Sequence, residues 1–276
     1  MITQRLAAWI VIAAAFVVLV AAETLRPLRR SVEPKPRRVV RNLTTGAVSL
    51  ALMTLLQAPL LLPVVRWTES HRIGLLQLVV WPRWIELAVA LLLLDYTLWW
   101  WHRANHLVPL LWRFHLVHHI DRDLDASTAF RFHFGELTLS LGWRAVQIAV
   151  IGASAEAVWV WQSVLFVSTL FHHSNLRLPQ TFERALVRLV VTPRMHGIHH
   201  SDRQDEANSN WSSILTCWDA LHRTLRLDVP QESLTIGVPA YSAPSDVTIG
   251  KVLLVPFVRQ RNDWRATRSS ASGESS

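Results

Sequence analysis

Four long apolar segments constrain the fold of this chain more than any other feature. They cover about residues 6–22, 43–65, 85–101 and 137–171, and the first two contain no charged residue. A helix crosses the hydrocarbon core of a bilayer with ~20 predominantly apolar residues. Inside lipid the backbone must satisfy its own hydrogen bonds, which a helix does. The sequence therefore predicts an all-α integral membrane protein.

The fourth segment is too long for one crossing. It has about 35 residues and contains Gly142, Arg144, Gly152 and Glu156. Two helices in a tight hairpin explain this composition better than a single span. We therefore expect about three single spans plus a helical hairpin.

Two local features modify this expectation. Pro59 and Pro63 should interrupt the second span near its outer end, because proline removes a helical hydrogen bond. The short stretch 70–84 mixes arginine and tryptophan with apolar residues, and it should lie at the membrane surface as a helix or a loop.

The stretch 23–42 sets the expected topology. It contains six arginines and one lysine but two glutamates, and basic residues concentrate in cytoplasmic loops. This loop should therefore be cytoplasmic. A cleaved signal peptide is the alternative for segment 6–22, but no small-residue cleavage site follows it. Because the basic residues flank apolar segments, the net charge of +8 does not indicate nucleic-acid binding.

Three runs of histidine lie at the ends of apolar segments or just beyond them. They occupy residues 102–106, 115–119 and 196–200, and the third repeats the His-x-x-His-His spacing of the second. Residues three and four apart are neighbours on a helix, so each run directs imidazoles toward one place. Imidazole is the commonest metal ligand in proteins, and eight are too many for one zinc ion. The runs predict a dinuclear metal centre in a histidine-rich cytoplasmic cap.

Ligand chemistry alone leaves the metal open. Cys217 is the single cysteine, which excludes an intrachain disulfide and a thiolate-rich zinc site. Magnesium and calcium prefer oxygen ligands. Imidazole suits iron, copper, nickel and zinc, so these four remain candidates.

The runs, their order and their flanks resemble the fatty acid hydroxylase/sterol desaturase superfamily of membrane di-iron oxygenases. The resemblance covers about residues 85–227. The flanking motifs that carry it are Asp95-Tyr96, Leu111-Trp112-Arg113-Phe114, Thr128-Ala129-Phe130-Arg131, Phe171-His172-His173-Ser174-Asn175, Thr192-Pro193-Arg194, Asn210-Trp211 and Trp218-Asp219.

This resemblance implies two iron ions, O2 as a co-substrate, and hydroxylation or desaturation of a C–H bond in a lipid or sterol-like molecule. It divides the chain into N-terminal spans with a basic loop (1–84), a catalytic domain (85–227) and a C-terminal cytoplasmic tail (228–276). The serine-rich end of the tail, from Arg268, should be disordered.

The family pattern also suggests metal ligands by position. Eight histidines match its signature, and His133 and His173 occupy places where members often supply further ligands. The chain has His133-Phe134-Gly135-Glu136 where members usually have His-Pro-x-Glu. His172 fits equally well as a ligand or as a polar end to the hairpin. The full set of expected ligands is His102, His106, His115, His118, His119, His133, His173, His196, His199 and His200.

Neighbouring carboxylates and amides should orient these imidazoles by accepting their other N–H. Asp95 lies two helical turns before His102, which favours such a role. Asp121 could equally be a solvated loop residue, and His71 and His222 should be surface residues. The remaining candidates for orienting a histidine are Glu136, Asn175 and Asp202.

Electrons must come from a separate protein, since the sequence has no flavin, nicotinamide, iron–sulfur or haem motif. A ferredoxin or small cytochrome with its reductase is expected, and such carriers are often acidic. A basic face near the histidines could dock the carrier or could instead meet anionic lipid. Its members would be Arg122, Arg131, Arg194 and Arg203.

Two other functions remain open. A membrane zinc hydrolase would be expected to contain His-Glu-x-x-His, which is absent here. A metal transporter would place its site near mid-membrane, whereas these histidines flank the spans. An arginine-rich composition and the basic loop suggest a bacterial inner membrane, with the histidines facing the cytoplasm.

Overall fold

The computed structural model describes residues 2–261, 264 and 265, and over this range it is helical, with isolated β-bridges but no strand. The predicted all-helical fold is therefore confirmed. The α-helices are α1 (Ile2–Leu25), α2 (Lys35–His71), α3 (Arg83–Leu107), α4 (Pro109–His119), α5 (Phe134–Ile151), α6 (Ala155–His173), α7 (Gln180–Leu186), α8 (Pro193–His199), α9 (Gln204–Ala207), α10 (Cys217–Leu221) and α11 (Ile249–Leu254). Short 3-10 turns cover Leu75–Leu78, Ala126–Phe130, Gln231–Ser233, Pro239–Tyr241, Pro244–Val247 and Val255–Phe257.

Two helical stretches in the described part of the chain are long and apolar enough to cross a membrane. They are Lys35–Leu78, which is α2 with the turn that follows it, and α3. Helix α1 contributes a shorter apolar stretch, Trp9–Leu25. The three single spans expected from the sequence coincide in position with α1, α2 and α3, and the number of crossings remains a prediction.

Helix α2 is continuous through both of its prolines. Pro59 and Pro63 lie inside the helix, which ends at His71. The expected interruption was therefore wrong. Proline removes one hydrogen bond, but neighbouring helices and local adjustments can satisfy the freed carbonyl in a membrane helix.

Helices α5 and α6 form the hairpin expected from the sequence. Gly152 ends α5 with a φ of 74°, a left-handed conformation that glycine adopts at low cost. Ser154 then begins α6, and its hydroxyl accepts a hydrogen bond from the Ala157 amide. The turn is tight because these two residues end one helix and begin the next.

A buried apolar core joins α2, α3 and the hairpin. Ala90 and Leu94 of α3 pack with Ile148 of α5 and Trp161 of α6, and all four are almost fully buried. Burial of such side chains stabilises the fold by roughly 1.5–3 kcal/mol each for the larger ones. The packing brings the end of α3, the start of α5 and the end of α6 to the same side of the molecule.

Buried charges tie the start of α2 to the loop after α4. The Arg38 guanidinium donates to Asp121 at 3.1 and 3.0 Å and to Asp125 at 2.8 Å. Arg41 and Asn42 also donate to Asp121, at 3.1 and 2.9 Å. Burial by itself would raise the pKa of the Asp121 carboxyl, but the charge of Arg38 and its neighbouring arginines holds that pKa well below its usual range.

This network corrects the expectation of a solvated loop. Asp121 is 1% exposed and Arg38 is 1% exposed, so neither belongs to a solvated basic flank. Arg131 is also fully buried, and it donates to the Val117 carbonyl at 2.8 Å and to Asn42 at 3.0 Å. Arg131 therefore cannot form part of a docking face.

The region after residue 228 packs on α4. Val238, Tyr241 and Val252 form a buried cluster with Leu116 and Val117. Up to residue 257 this region is a cover over the histidine-bearing helix, and the serine-rich end from Arg268 lies outside the described residues.

We predict that Gly74→Ala destabilises the fold. Gly74 has a φ of 104°, and a Cβ there would overlap the backbone of Gly152 in the hairpin turn. Backbone cannot move aside cheaply, so the cost should be at least ~1–3 kcal/mol. Thermal unfolding in detergent measures it. Gly142→Ala is the control, because a Cβ at that exposed helical position meets nothing within 4 Å. Equal stability of the two variants would contradict the prediction.

Candidate metal centre

Nine histidines converge in two adjacent groups at the ends of α3 and α6. We name them the five-histidine group and the four-histidine group. In each group one ring nitrogen from every member lies within 4.8 Å of the corresponding nitrogens of the others. The five-histidine group contains His102, His106, His115, His119 and His199, and the four-histidine group contains His118, His173, His196 and His200.

Helical geometry explains how each His-x-x-His-His run serves both groups. Successive residues of an α-helix are ~100° apart, so residues four apart differ by ~40° and residues three apart by ~60° in the opposite sense. On α4, His115 and His119 are four apart and share the five-histidine group, whereas His118 joins the other group.

The third run, on α8, also contributes to both groups, but its pair and its single histidine are exchanged between them. His196 and His200, four apart, belong to the four-histidine group, and His199 belongs to the five-histidine group. Each run thus sends a pair to one group and a single imidazole to the other. The rings of His119 and His200 stack across the boundary with their centroids 4.4 Å apart, so the groups share a wall.

Acceptors behind the rings fix the orientation of four imidazoles. The Nδ1 atoms of His102, His173 and His199 each lie 2.8 Å from a backbone carbonyl oxygen, those of Trp211, Thr169 and Ser209 respectively. His115 Nδ1 lies 2.8 Å from Glu136 Oε1. A carbonyl only accepts, so Nδ1 must carry the proton in the first three rings, and Nε2 then presents a lone pair.

The Nε2 atoms of the four-histidine group crowd together. Nε2 of His173 lies 2.9 Å from that of His118 and 3.0 Å from that of His196, and His196 lies 3.1 Å from His200. Nitrogen ligands ~2.0–2.1 Å from one ion are ~2.9 Å apart at right angles and ~3.4 Å apart at tetrahedral angles. These separations fit a shared cation.

The five-histidine group offers the same chemistry. The Nε2 atoms of His106, His115, His119 and His199 are buried and have no hydrogen-bond partner among the described residues. Unsatisfied buried nitrogen is costly. A metal ion would satisfy these lone pairs, so both groups fit a metal ion by their donor atoms.

Burial also sets the charge of these rings. It lowers the pKa of His118, His119 and His196 well below the usual range, and neighbouring imidazoles add to the effect. The same holds for His199 and His200. These histidines are therefore neutral near pH 7, which is the form that binds metal.

His133 lies outside both groups. Its Nδ1 accepts a hydrogen bond from the Gly135 amide at 3.0 Å, and its Nε2 lies 3.2 Å from the Leu253 carbonyl. It therefore caps the start of α5 with one nitrogen and holds the C-terminal region with the other. Both of its nitrogens are used in these contacts, so the structure does not bring His133 together with the other expected ligands.

His172 is buried beside the four-histidine group but is not a member of it. Its ring centroid lies 4.1 Å from that of His196 and 4.6 Å from that of His173. His71 is exposed at the end of α2, as predicted. His222 is not a simple surface residue, since it stacks on Trp99 at 4.1 Å and its Nε2 lies 3.2 Å from the Tyr96 hydroxyl.

Glu136 orients a member of the groups in the expected way, and Asp95 does not. Asp95 Oδ2 accepts from the Trp218 indole at 2.7 Å and from the Leu215 amide at 3.1 Å. It therefore fixes the turn before α10, while His102 is held by the Trp211 carbonyl. The sequence spacing placed Asp95 on the correct helix but could not identify its partner.

Asn175 and Asp202 serve other contacts. Asn175 Oδ1 accepts from the Arg29 amide at 2.9 Å and its Nδ2 donates to the Arg29 carbonyl at 2.8 Å. It therefore holds the loop before α2 against the end of α6. Asp202 forms an ion pair with Arg265 at 2.8 Å.

The remaining arginines of the expected docking face are partly exposed. Arg194 is paired with Glu183 at 2.6 Å. Arg122 and Arg203 are partly accessible. Three of the four residues thus retain a surface position, whereas Arg131 does not.

A helical fold with apolar helices and paired histidine groups defines a class of membrane proteins that bind metal through imidazole. The chain belongs to the fatty acid hydroxylase family, whose model matches residues 87–224 and so half of the sequence. These residues span both histidine groups.

Curated relatives are hydroxylases and monooxygenases. The ornithine lipid hydroxylase of Rhizobium tropici is 28% identical over 57% of this chain and 47% of its own length. Cholesterol 25-hydroxylase of Mus musculus is 28% identical over 53% and 48%, and alkylglycerol monooxygenase of Danio rerio is 25% identical over 71% and 41%. The chain spans about half the length of these relatives or less. No solved structure matches the chain.

We predict that Glu136→Gln weakens metal binding 10–100-fold, as loss of a group that orients a metal-binding histidine generally does. The amide oxygen can still accept from His115 Nδ1, so the loss reports the carboxylate charge. Metal retained after dialysis against a chelator measures it. Glu156→Gln is the control, because Glu156 pairs with Arg83 at the opposite end of the hairpin. Equal retention by both variants would contradict the prediction.

We also predict that His133→Asn keeps the metal content of the parent protein. Asparagine is a good N-cap, so α5 should still begin correctly. His119→Ala, which removes a member of the five-histidine group, should lose metal under the same conditions. Metal analysis of the purified variants compares them, and loss of metal from His133→Asn would show that His133 is a ligand after all.

Proposed function

We propose that the protein is a membrane-bound non-haem di-iron oxygenase that hydroxylates or desaturates a C–H bond of a lipid or sterol-like molecule with O2. One observation carries this proposal: two adjacent groups of imidazoles, with five and four members, share a wall. Family membership and relatives that are lipid and sterol hydroxylases support the same reaction class.

The proposed ligands of one iron are the five-histidine group, and those of the other are the four-histidine group. Bound iron would supply O2 reduction and abstraction of hydrogen from the substrate carbon. The chain contributes fixed lone pairs: the Trp211, Ser209 and Thr169 carbonyls hold Nδ1–H of three rings, so that Nε2 faces inward. These carbonyls and Glu136 prevent the imidazoles from rotating away.

The surroundings of the groups support a lipid substrate. His102 and His106 lie in the last turns of α3, which is long and apolar enough to cross a membrane. The groups therefore lie at the end of a membrane helix and beside the α5–α6 hairpin. We propose that the substrate enters laterally from the bilayer between α3 and this hairpin.

A separate electron donor is part of the proposal. We propose a ferredoxin or small cytochrome, with its reductase, that docks where Arg122 and Arg203 reach the surface. We place the histidines on the cytoplasmic side of a bacterial inner membrane, because the basic loop 23–42 lies beside them.

The donor atoms favour an oxygenase over a hydrolase. Within the described residues both groups consist of histidine alone. The nearest expected carboxylate, Glu136, already accepts from His115 Nδ1. A hydrolase would need a carboxylate or similar base beside the metal-bound water.

We predict about two iron ions per chain and O2-dependent oxidation of a lipid, as expected for a centre with two groups of imidazole ligands. His118→Ala and His199→Ala each remove a member of a different group, so each should abolish turnover and lose iron while membrane insertion is retained. Metal analysis of protein purified without a metal-affinity step, O2 consumption and lipid profiling of cells with and without the protein measure these quantities.

His71→Ala is the matched control, because His71 is exposed and remote in the fold from both groups; it should keep iron and turnover. One zinc and no iron with full activity would overturn the oxygenase. Parental rates in His118→Ala or His199→Ala would show that the groups are not catalytic.

A further inference from the structure

A cavity with several charged side chains in its wall lies near the histidine groups, and its wall includes Asn175, two residues after His173. Its volume is about 880 Å³, which is within the ~300–1,000 Å³ of typical small-molecule sites. The end of α1, the loop before α2 and the segment after α6 form most of its wall. Four basic side chains line it: Arg29, Arg30, Lys35 and Arg177.

The acidic residues of this cavity are mostly neutralised. Glu23 pairs with Lys35 at 2.9 Å, and Asp125 pairs with Arg38 at 2.8 Å. Among the described residues, Arg29, Arg30 and Arg177 have no carboxylate within ion-pair distance. Glu232 is the one acidic residue of the wall that is left to oppose these three arginines. The cavity therefore carries an excess of positive charge.

Arg29 is the arginine of this cavity that has buried side-chain nitrogens without an acceptor in the described part of the chain. Its Nη1 donates to the Gln231 side chain and the Pro193 carbonyl. Its Nε and Nη2 are buried without a hydrogen-bond acceptor among the described residues. Burial lowers the pKa of Arg29 to about 10, so it remains a cation at neutral pH. A cationic group whose nitrogens are buried without an anionic partner is costly.

We propose that this cavity binds the phosphate group of an anionic phospholipid. Arginine is well suited to phosphate because its planar fork can donate two parallel hydrogen bonds. Arg29 would contact the phosphate first, and Arg30 and Arg177 would neutralise its remaining charge.

The surroundings favour a lipid over free phosphate. The end of α1 forms part of the cavity wall, and Val18 and Leu25 of this helix are exposed, so acyl chains can lie along α1. The charged start of α2, at Lys35, precedes its apolar part and marks the level of lipid headgroups. A phosphate held at Arg29 would therefore lie at headgroup depth, with its chains beside α1.

The cavity is distinct from the histidine groups, although they share structural elements. The Arg29 backbone amide donates to the side chain of Asn175, two residues after His173, and the Arg29 guanidinium donates to the carbonyl of Pro193, which begins α8. Binding of a phospholipid here requires neither metal nor turnover. It can therefore be tested whatever the outcome for the oxygenase.

Native mass spectrometry of the full chain in maltoside micelles, titrated with dioleoylphosphatidylglycerol, tests the proposal. We expect the protein to retain one phospholipid and Arg29→Gln to bind it at least tenfold more weakly. Arg177→Gln should also weaken binding, and this exposed position keeps the test valid if Arg29→Gln does not fold. Dioleoylglycerol, which has the same chains without phosphate, should not be retained.

Arg66→Gln is the matched control. Arg66 is exposed and lies about 45 Å along the axis of α2 from Lys35, so it is far from the cavity. This variant should bind phosphatidylglycerol like the parent. Equal binding by the parent, Arg29→Gln and Arg177→Gln would overturn the site. Retention of inorganic phosphate without retention of phosphatidylglycerol would overturn the lipid as its ligand.

Discussion

The structure depends on one constraint: nine imidazoles must be held in two groups, with one ring nitrogen of each directed toward the others of its group. Without a cation, lone pairs brought this close repel one another. The Nε2 atoms of the five-histidine group that are buried also lack hydrogen bonds within the described residues, which costs free energy for each atom. The fold sustains the arrangement because acceptors hold the opposite side of several rings, among them the carbonyls of Trp211 and Ser209. A metal ion converts this unfavourable arrangement into a stabilising one, so metal binding and the stability of the surrounding helices should be coupled.

A buried network of ion pairs fixes the position of α4 relative to the start of α2. Arg38 at the start of α2 reaches Asp121, two residues beyond His119 at the end of α4. Removing one member of such a buried pair generally costs roughly 3–5 kcal/mol, because the other charge is left uncompensated. The N-terminal region therefore does more than anchor the chain in a membrane. It holds the end of α4 in place, where the histidines of the second run belong to two different groups.

The sequence predicted the helices and the histidine groups well because both depend on local periodicity. The His-x-x-His-His spacing even contains the division between groups, since residues three and four apart diverge by a fixed angle. Contacts between distant segments could not be read in this way. Backbone carbonyls such as that of Trp211 have no sequence signature, and Asp95 reached Trp218 instead of the expected histidine. The burial of Arg38 was equally hidden, because an arginine cluster beside an apolar segment resembles a solvated cytoplasmic flank.

Helix α8 lies between the histidine groups and the arginine-lined cavity, and this position accounts for Gly197 in its His-Gly-Ile-His-His run. Its histidines belong to the two histidine groups, while Gly197 lies against the Arg29 guanidinium. Any side chain at Gly197 would occupy the position of Arg29 Nη1 and push the guanidinium away from the Pro193 carbonyl. Glycine at position 197 therefore lets one turn of helix direct imidazoles to one side and contact the Arg29 guanidinium on the other. The same short helix meets both the proposed oxidation chemistry and the proposed phosphate site, which places a bound headgroup one helix away from the histidines.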